Sequence, residues 1–157
     1  MAVAFAAVLL LFPLAARSQS VFPPYGAAVT LKDAQILISA GKAEASKNKW
    51  AVAIAVVDIS GAIVAMERMD DTLLASAQVA VDKARTANGL KRPTKALQDA
   101  VTKGFTPILG LTGVTPVDGG LPIVLGGKIV GAIGVSGAEA SEDGIVAAAG
   151  LAQLKGR

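Results

Sequence analysis

GGLPIVLGGKIVGAIGVSG, residues 119–137, holds seven of the seventeen glycines in the chain. Glycine weakens a strand because it loses the most backbone entropy and packs no side chain. A phosphate-cradling loop would explain the excess, but the spacing rejects it. A P-loop ending at Gly127-Lys128 needs glycine at 122 and Ser or Thr at 129; these positions hold Pro122 and Ile129. Gly131, Gly134 and Gly137 recur every three residues, which is not the dinucleotide-binding G-x-G-x-x-G. Gly126-Gly127 instead reads as a two-residue turn between LPIVL and KIVGAIGVSG, giving a β-hairpin. Strict alternation would put Ile129, Gly131, Ile133 and Val135 on one face of the outgoing strand. Val130, Ala132, Gly134 and Ser136 would take the other, a small-residue face open to close approach by a helix, a neighbouring subunit or a flat ligand.

A second hairpin lies upstream. AVAIAVVD (51–58) alternates Val52, Ile54 and Val56 against Ala51, Ala53 and Ala55, and Ser60-Gly61 turns it into AIVAMERM (62–69). Both faces are apolar, so the sheet is expected to be covered on both sides. LLASAQVAVDKARTANG (73–89) supplies a matching helix, with Leu73, Ala77, Ala80, Ala84 and Ala87 at steps of three and four and a stop at Asn88-Gly89. Thr30, with Asp33 behind it, caps an earlier helix carrying Leu31, Ala34, Leu37, Ile38, Gly41 and Ala45. Arg92-Pro93-Thr94 opens a shorter helix running to about Lys103. Residues 104–120 read as loop with a short strand around Ile108–Leu111, and Ser141 is the expected cap of a last helix. Consecutive strands lack regular helical crossovers, so an antiparallel α+β sheet is predicted rather than a doubly wound parallel one.

Bulk composition narrows the chemistry. Apolar residues make up 53% and charged ones 17% of 157 residues, which suits one domain and excludes disorder. The formal charge of +3 is spread too thinly for a nucleic-acid partner. Cysteine and histidine are both absent, which removes thiol and Ser-His-Asp catalysis, ordinary zinc sites and disulfides together. Residues 1–20 read as a signal peptide: an apolar run from Ala2 to Leu11, a break at Phe12-Pro13, and Ala16-Arg17-Ser18 before Gln19, although no Lys or Arg precedes the run. Residues 21–157 are then a single domain in a periplasmic or secreted protein, with no stable membrane insertion after cleavage.

Several blocks in register resemble one family. They are Ala80-Val81-Asp82-Lys83-Ala84-Arg85-Thr86-Ala87, Arg92-Pro93-Thr94, Gly119 to Ile123, Gly131 to Gly137, and Asp143 through Gly150-Leu151, with Asp58, Gly61 and Arg68-Met69-Asp70 in the first hairpin. In order and spacing over residues 28–154 they resemble the GlcG/HbpS family. That resemblance implies a profilin-like α+β fold, a five-stranded antiparallel sheet flanked by helices on both faces, and homo-oligomers. It implies haem binding in exported members, as carrier, scavenger or sensor, in some cases with a sensor-protein partner.

Haem iron commonly takes His, Cys, Met or Tyr. Met66, Met69 and Tyr25 are the conventional candidates here, and the Thr94 hydroxyl is a weaker one. Arg68 and Lys83 are the leading cations for propionates, with Arg85, Lys91, Arg92 and Lys95 nearby in sequence. Two other readings stay open. One is an enzyme on an organic acid or aldehyde, with Lys83 or Arg68 polarising the substrate and Asp58, Asp70 or Asp82 moving protons. The other is a homo-oligomeric protein-interaction module.

Overall fold

A computed structural model describes residues 22–154. The segment read as a signal peptide lies outside the described residues. Helix α1 (Leu31–Asn48) leads into strands β1 (Ala53–Asp58) and β2 (Ile63–Arg68). Helices α2 (Ser76–Leu90) and α3 (Thr94–Thr102) follow, then β3 (Gly120–Leu125), β4 (Lys128–Ser136) and α4 (Ala140–Ala152). The sheet is antiparallel throughout, in the order β2-β1-β4-β3, so the two predicted hairpins meet along β1 and β4. Among the described residues no helix is long and apolar enough to cross a membrane.

Among the described residues four strands stand where five were expected. The segment around Ile108–Leu111 is a 3₁₀ helix, Thr106–Gly110, with Pro107 in its first turn. Proline lacks the N–H a strand would donate, and its fixed φ suits a helical start. The lead-in adds only an isolated bridge: Gly26 N–H donates to Ile129 O at 2.7 Å and Ile129 N–H to Pro24 O at 2.9 Å.

Each sheet face has its own chemistry. Val52, Ile54 and Val56 join Ile133 and Val135 against Leu37 and Ile38 of α1 and Val146 and Ala147 of α4. On the other face Ala53 and Ala55 meet Ala80 and Val81, while Val57 and Ala132 meet Ala84 and Ala87, all on α2. The alanine strand face and the alanine helix face thus bring two backbones together, as their sequences predict. Gly134 marks the closest approach, because a Cβ there would collide with the Ala80 carbonyl and lie 2.6 Å from the Ala84 nitrogen. Gly126 and Gly127, at φ 53° and 73°, turn the hairpin in the left-handed conformation such turns require.

Four local expectations change. The register shifts between Ile123 and Val124, so Val130 joins Ile133 and Val135 in the main cluster, while Ile129 is fully buried outside that cluster. A bulge inserts one extra residue and reverses the alternation beyond it. Leu73 and Leu74 precede α2 and are exposed, while Asn88 is buried inside the helix, which runs on to a left-handed cap at Lys91. Glu139 rather than Ser141 caps α4, with the Glu142 carboxylate accepting its N–H at 3.0 Å. Thr30 caps α1 as expected, its hydroxyl accepting the Asp33 N–H at 3.1 Å.

The β1–β2 turn is organised by Asp58. Its Oδ1 accepts the Ser60 hydroxyl at 2.6 Å and the N–H groups of Ser60 and Ala62 at 2.7 and 3.1 Å. The Ser60 hydroxyl, opposed by desolvation and backed by the backbone donors, holds the carboxyl below its usual range. A pKa lowered on folding stabilises the fold above the unfolded value, and that contribution fades as pH falls through the native one. Ser60→Ala is therefore expected to move the Asp58 titration up toward the ordinary carboxylate value, read from its side-chain carbon by NMR.

Candidate functional site

The predicted site residues separate into three places. Lys83, on α2, is 1% exposed, and its ammonium donates to Asp143 at 2.7 Å. Asp143 also accepts the Ala138 N–H at 3.1 Å. Burial pushes its carboxyl up, against the pull of Lys83 and of that N–H. Asp118 is buried beside it and accepts the Gly119 N–H at 2.7 Å. Thr94, fully buried at the start of α3, accepts the Gly120 N–H at 2.9 Å. The sequence blocks around Lys83, Thr94, Gly119 and Asp143 therefore converge on a closed polar cluster locking α2, α3 and α4 to β3. No substrate carbonyl reaches this ammonium, and no iron reaches this hydroxyl, without opening the core.

Met66 and Arg68 lie on the exposed α2-side face of β2, paired with Ala55 and Ala53. Met69 points the other way and packs against the main core. The two methionines therefore cannot approach one iron from the same side. As β2 is one edge of the sheet, Met66 and Arg68 are also remote from β3 at the opposite edge.

The third place lies at that β3 edge. Pro23, Pro93, Leu121, Pro122, Val124, Ile129 and Leu151 line an open cavity of about 310 Å³, with Lys91 as its single charged wall. Lys91 donates to the Pro23 carbonyl at 3.3 Å and sits 4.1 Å from the Tyr25 ring centroid. The Arg92 guanidinium lies 4.7 Å from the Phe22 ring. The lead-in thus closes one side of the cavity, held by two cation–π contacts. Pro122 is tolerated because β3 is an edge strand and need not donate at every position. Apolar walls with one cation at the rim suit a flat apolar ligand bearing an acid group. The volume is at the small end of the roughly 300–1,000 Å³ range for ligand pockets, so a large ligand would stay partly exposed.

The family model described as "Haem degrading protein HbpS-like" matches residues 29–152. The chain belongs to the HbpS-like family. The Escherichia coli K12 protein GlcG is 43% identical over 103 residues, covering 66% of this chain and 77% of GlcG. Among solved structures, a PduOC:haem complex superposes with a TM-score of 0.74 at 28% identity, covering 82% of this chain and 96% of that one. A variant of Streptomyces reticuli HbpS gives 0.75 at 30%, covering 95% and 98%. The GlcG/HbpS resemblance read from the sequence blocks is confirmed by these matches.

Haem fits the HbpS-like chain at the cavity only in part. The apolar walls suit the edges of the macrocycle, and Lys91 would supply charge for a propionate. No described axial candidate lines the cavity: Thr94 is closed by Gly120, Met66 and Met69 lie elsewhere, and the Tyr25 hydroxyl donates to the Asn88 carbonyl at 2.7 Å. Lys91 was only one of several cations in the sequence reading. Its partners Pro23, Leu121 and Leu151 lie 30 to 70 residues from it, so no local pattern announces the cavity.

Proposed function

We propose that this HbpS-like chain is a haem-binding protein that carries, scavenges or senses haem, with the macrocycle seated in the apolar cavity at the β3 edge. The apolar lining with Lys91 at its rim carries this reading, supported by the haem complex of a structural relative. When bound, haem would supply a redox-active iron. The protein's part is to bury apolar macrocycle edges on Leu121, Val124 and Leu151 and to pair a propionate with Lys91. Without a protein ligand to iron in the cavity, haem would exchange readily, as suits transfer to another protein. The profilin-like classification, export to the periplasm or medium, homo-oligomers and a sensor partner belong to the same proposal.

Hemin added to the purified chain is expected to give a saturable Soret shift. Lys91→Gln is expected to weaken it about tenfold, through loss of the propionate's partner and of the contacts that hold the lead-in wall at Pro23 and Tyr25. A spectrum equal to free hemin plus protein contradicts haem binding.

A further inference from the structure

At about 310 Å³ the apolar cavity is tight for a macrocycle, so a wall has to yield as one enters or leaves. Pro23 is the wall best placed to do so. It comes from the extended lead-in, whereas the other walls belong to β3, β4 and α4 or cap α2 and α3. The base of the lead-in is pinned to β4, where Gly26 N–H donates to Ile129 O and Ile129 N–H to Pro24 O. Beyond that base a relay of three contacts holds Pro23. Its carbonyl accepts the Lys91 ammonium at 3.3 Å, the ammonium lies 4.1 Å from the Tyr25 ring centroid, and the Tyr25 hydroxyl donates to the Asn88 carbonyl at 2.7 Å. The first bond is long and the second contact is a cation–π pair, so the short phenol bond anchors the relay. Tyr25 is not a wall of the apolar cavity. It lines a second open cavity, about 560 Å³, between the β1–β2 turn and the end of α2, which leaves the ring space to turn once its hydroxyl lets go.

We propose that Tyr25 is a positioning residue for the apolar cavity: through Lys91 it holds the Pro23 wall shut, and its release lets the macrocycle in and out. This role rests on the haem reading above. Tyr25 itself touches no ligand, and its bond to Asn88 is made in the empty and the loaded protein alike. Losing that bond favours opening equally in both, so entry and exit accelerate together while affinity holds. A contact that merely supports the bound state behaves differently, because its loss raises dissociation alone and weakens binding. The relay thus sets the exchange rate of haem separately from its affinity.

The test is stopped-flow absorbance on the full chain, with hemin for association and capture by excess apomyoglobin for dissociation. Tyr25→Phe keeps the ring beside Lys91 and removes only the hydroxyl. Both rates are expected to rise about fivefold, the weight of one hydrogen bond of ordinary net strength, with Kd within about twofold of wild type. A small aromatic acid, 2-naphthoate, enters without moving the wall and is expected to bind both proteins at equal rates. Unchanged hemin association, raised dissociation alone, or equal acceleration of 2-naphthoate would each overturn the role of Tyr25 while leaving haem binding intact. Absence of hemin binding by either protein would overturn both. Should Tyr25→Phe fail to fold, Phe22→Ala releases the same segment from Arg92 and is expected to give the same paired acceleration.

Discussion

Asp143→Asn is expected to destabilise the fold by about 3–5 kcal/mol, the cost of leaving a buried ammonium without its partner. Lys83 is fully enclosed and its salt bridge to Asp143 is the only one it makes among the described residues, so it cannot swing to water. Lys83→Met is expected to cost less, because the stranded Asp143 can neutralise itself by taking a proton. Burial already raises its pKa. A carboxyl whose pKa is raised on folding favours the native state at low pH, and that contribution is lost as pH rises through the native value. In Lys83→Met the offsetting ammonium is gone, so stability should fall more steeply with rising pH than in the wild type. The double replacement Lys83→Met with Asp143→Leu is expected to return to the wild-type level or above it, since well-packed apolar pairs often equal buried ion pairs. Urea unfolding across pH checks all three. A double variant as unstable as Asp143→Asn would mean that the pair fixes geometry that apolar side chains cannot replace.

Gly134→Ala is the second large effect, expected to cost about 3 kcal/mol or more, or to prevent folding. Overpacking a well-filled interior typically costs about 1–3 kcal/mol, and this contact is more severe than most. The new methyl meets the Ala80 carbonyl and the Ala84 nitrogen, which are helix backbone and cannot rotate aside. Relief would require α2 to lift from β4 along the whole alanine interface. Gly89→Ala is the matched control: it is exposed on α2 with nothing near the added methyl, and should stabilise by about 0.5–1 kcal/mol through helix propensity. Chemical denaturation of the two variants separates close packing from a general effect of replacing glycine.

Where period-two alternation met an alanine stripe at helical spacing, the sequence was sufficient. Val52, Ile54 and Val56 oppose Ala53 and Ala55 as read, and Ala80, Ala84 and Ala87 cover the small face. Register was less accessible. Alternation along β4 puts Ile129 on the face of Ile133 and Val135, but the bulge hands that place to Val130 and buries Ile129 outside the main cluster, and nothing in the sequence positions a bulge. Leu73 fits the helical spacing, yet the helix begins only at Ser76. Asn88 looked like a helix stop, because Asn before Gly usually is one; its burial depends on contacts with Ile59 and Tyr25 far away in the chain. The site was harder still. Conspicuous charges and thioethers named Lys83, Arg68 and the methionines, and the structure separates them into a closed core and an exposed strand face. The apolar cavity is built from residues whose sequence environments look like ordinary core and turn.

Amide line broadening by ferric hemin tests the haem proposal most directly, with gallium protoporphyrin as the diamagnetic control. Broadening depends on distance to the iron, so it reports both binding and place. With haem in the apolar cavity, the amides of Lys91, Arg92, Leu121, Val124, Ile129 and Leu151 should broaden first, while Ile63, Met66 and Arg68 across the sheet stay sharp. Broadening centred on Met66 and Arg68, or none at saturating hemin, would contradict it.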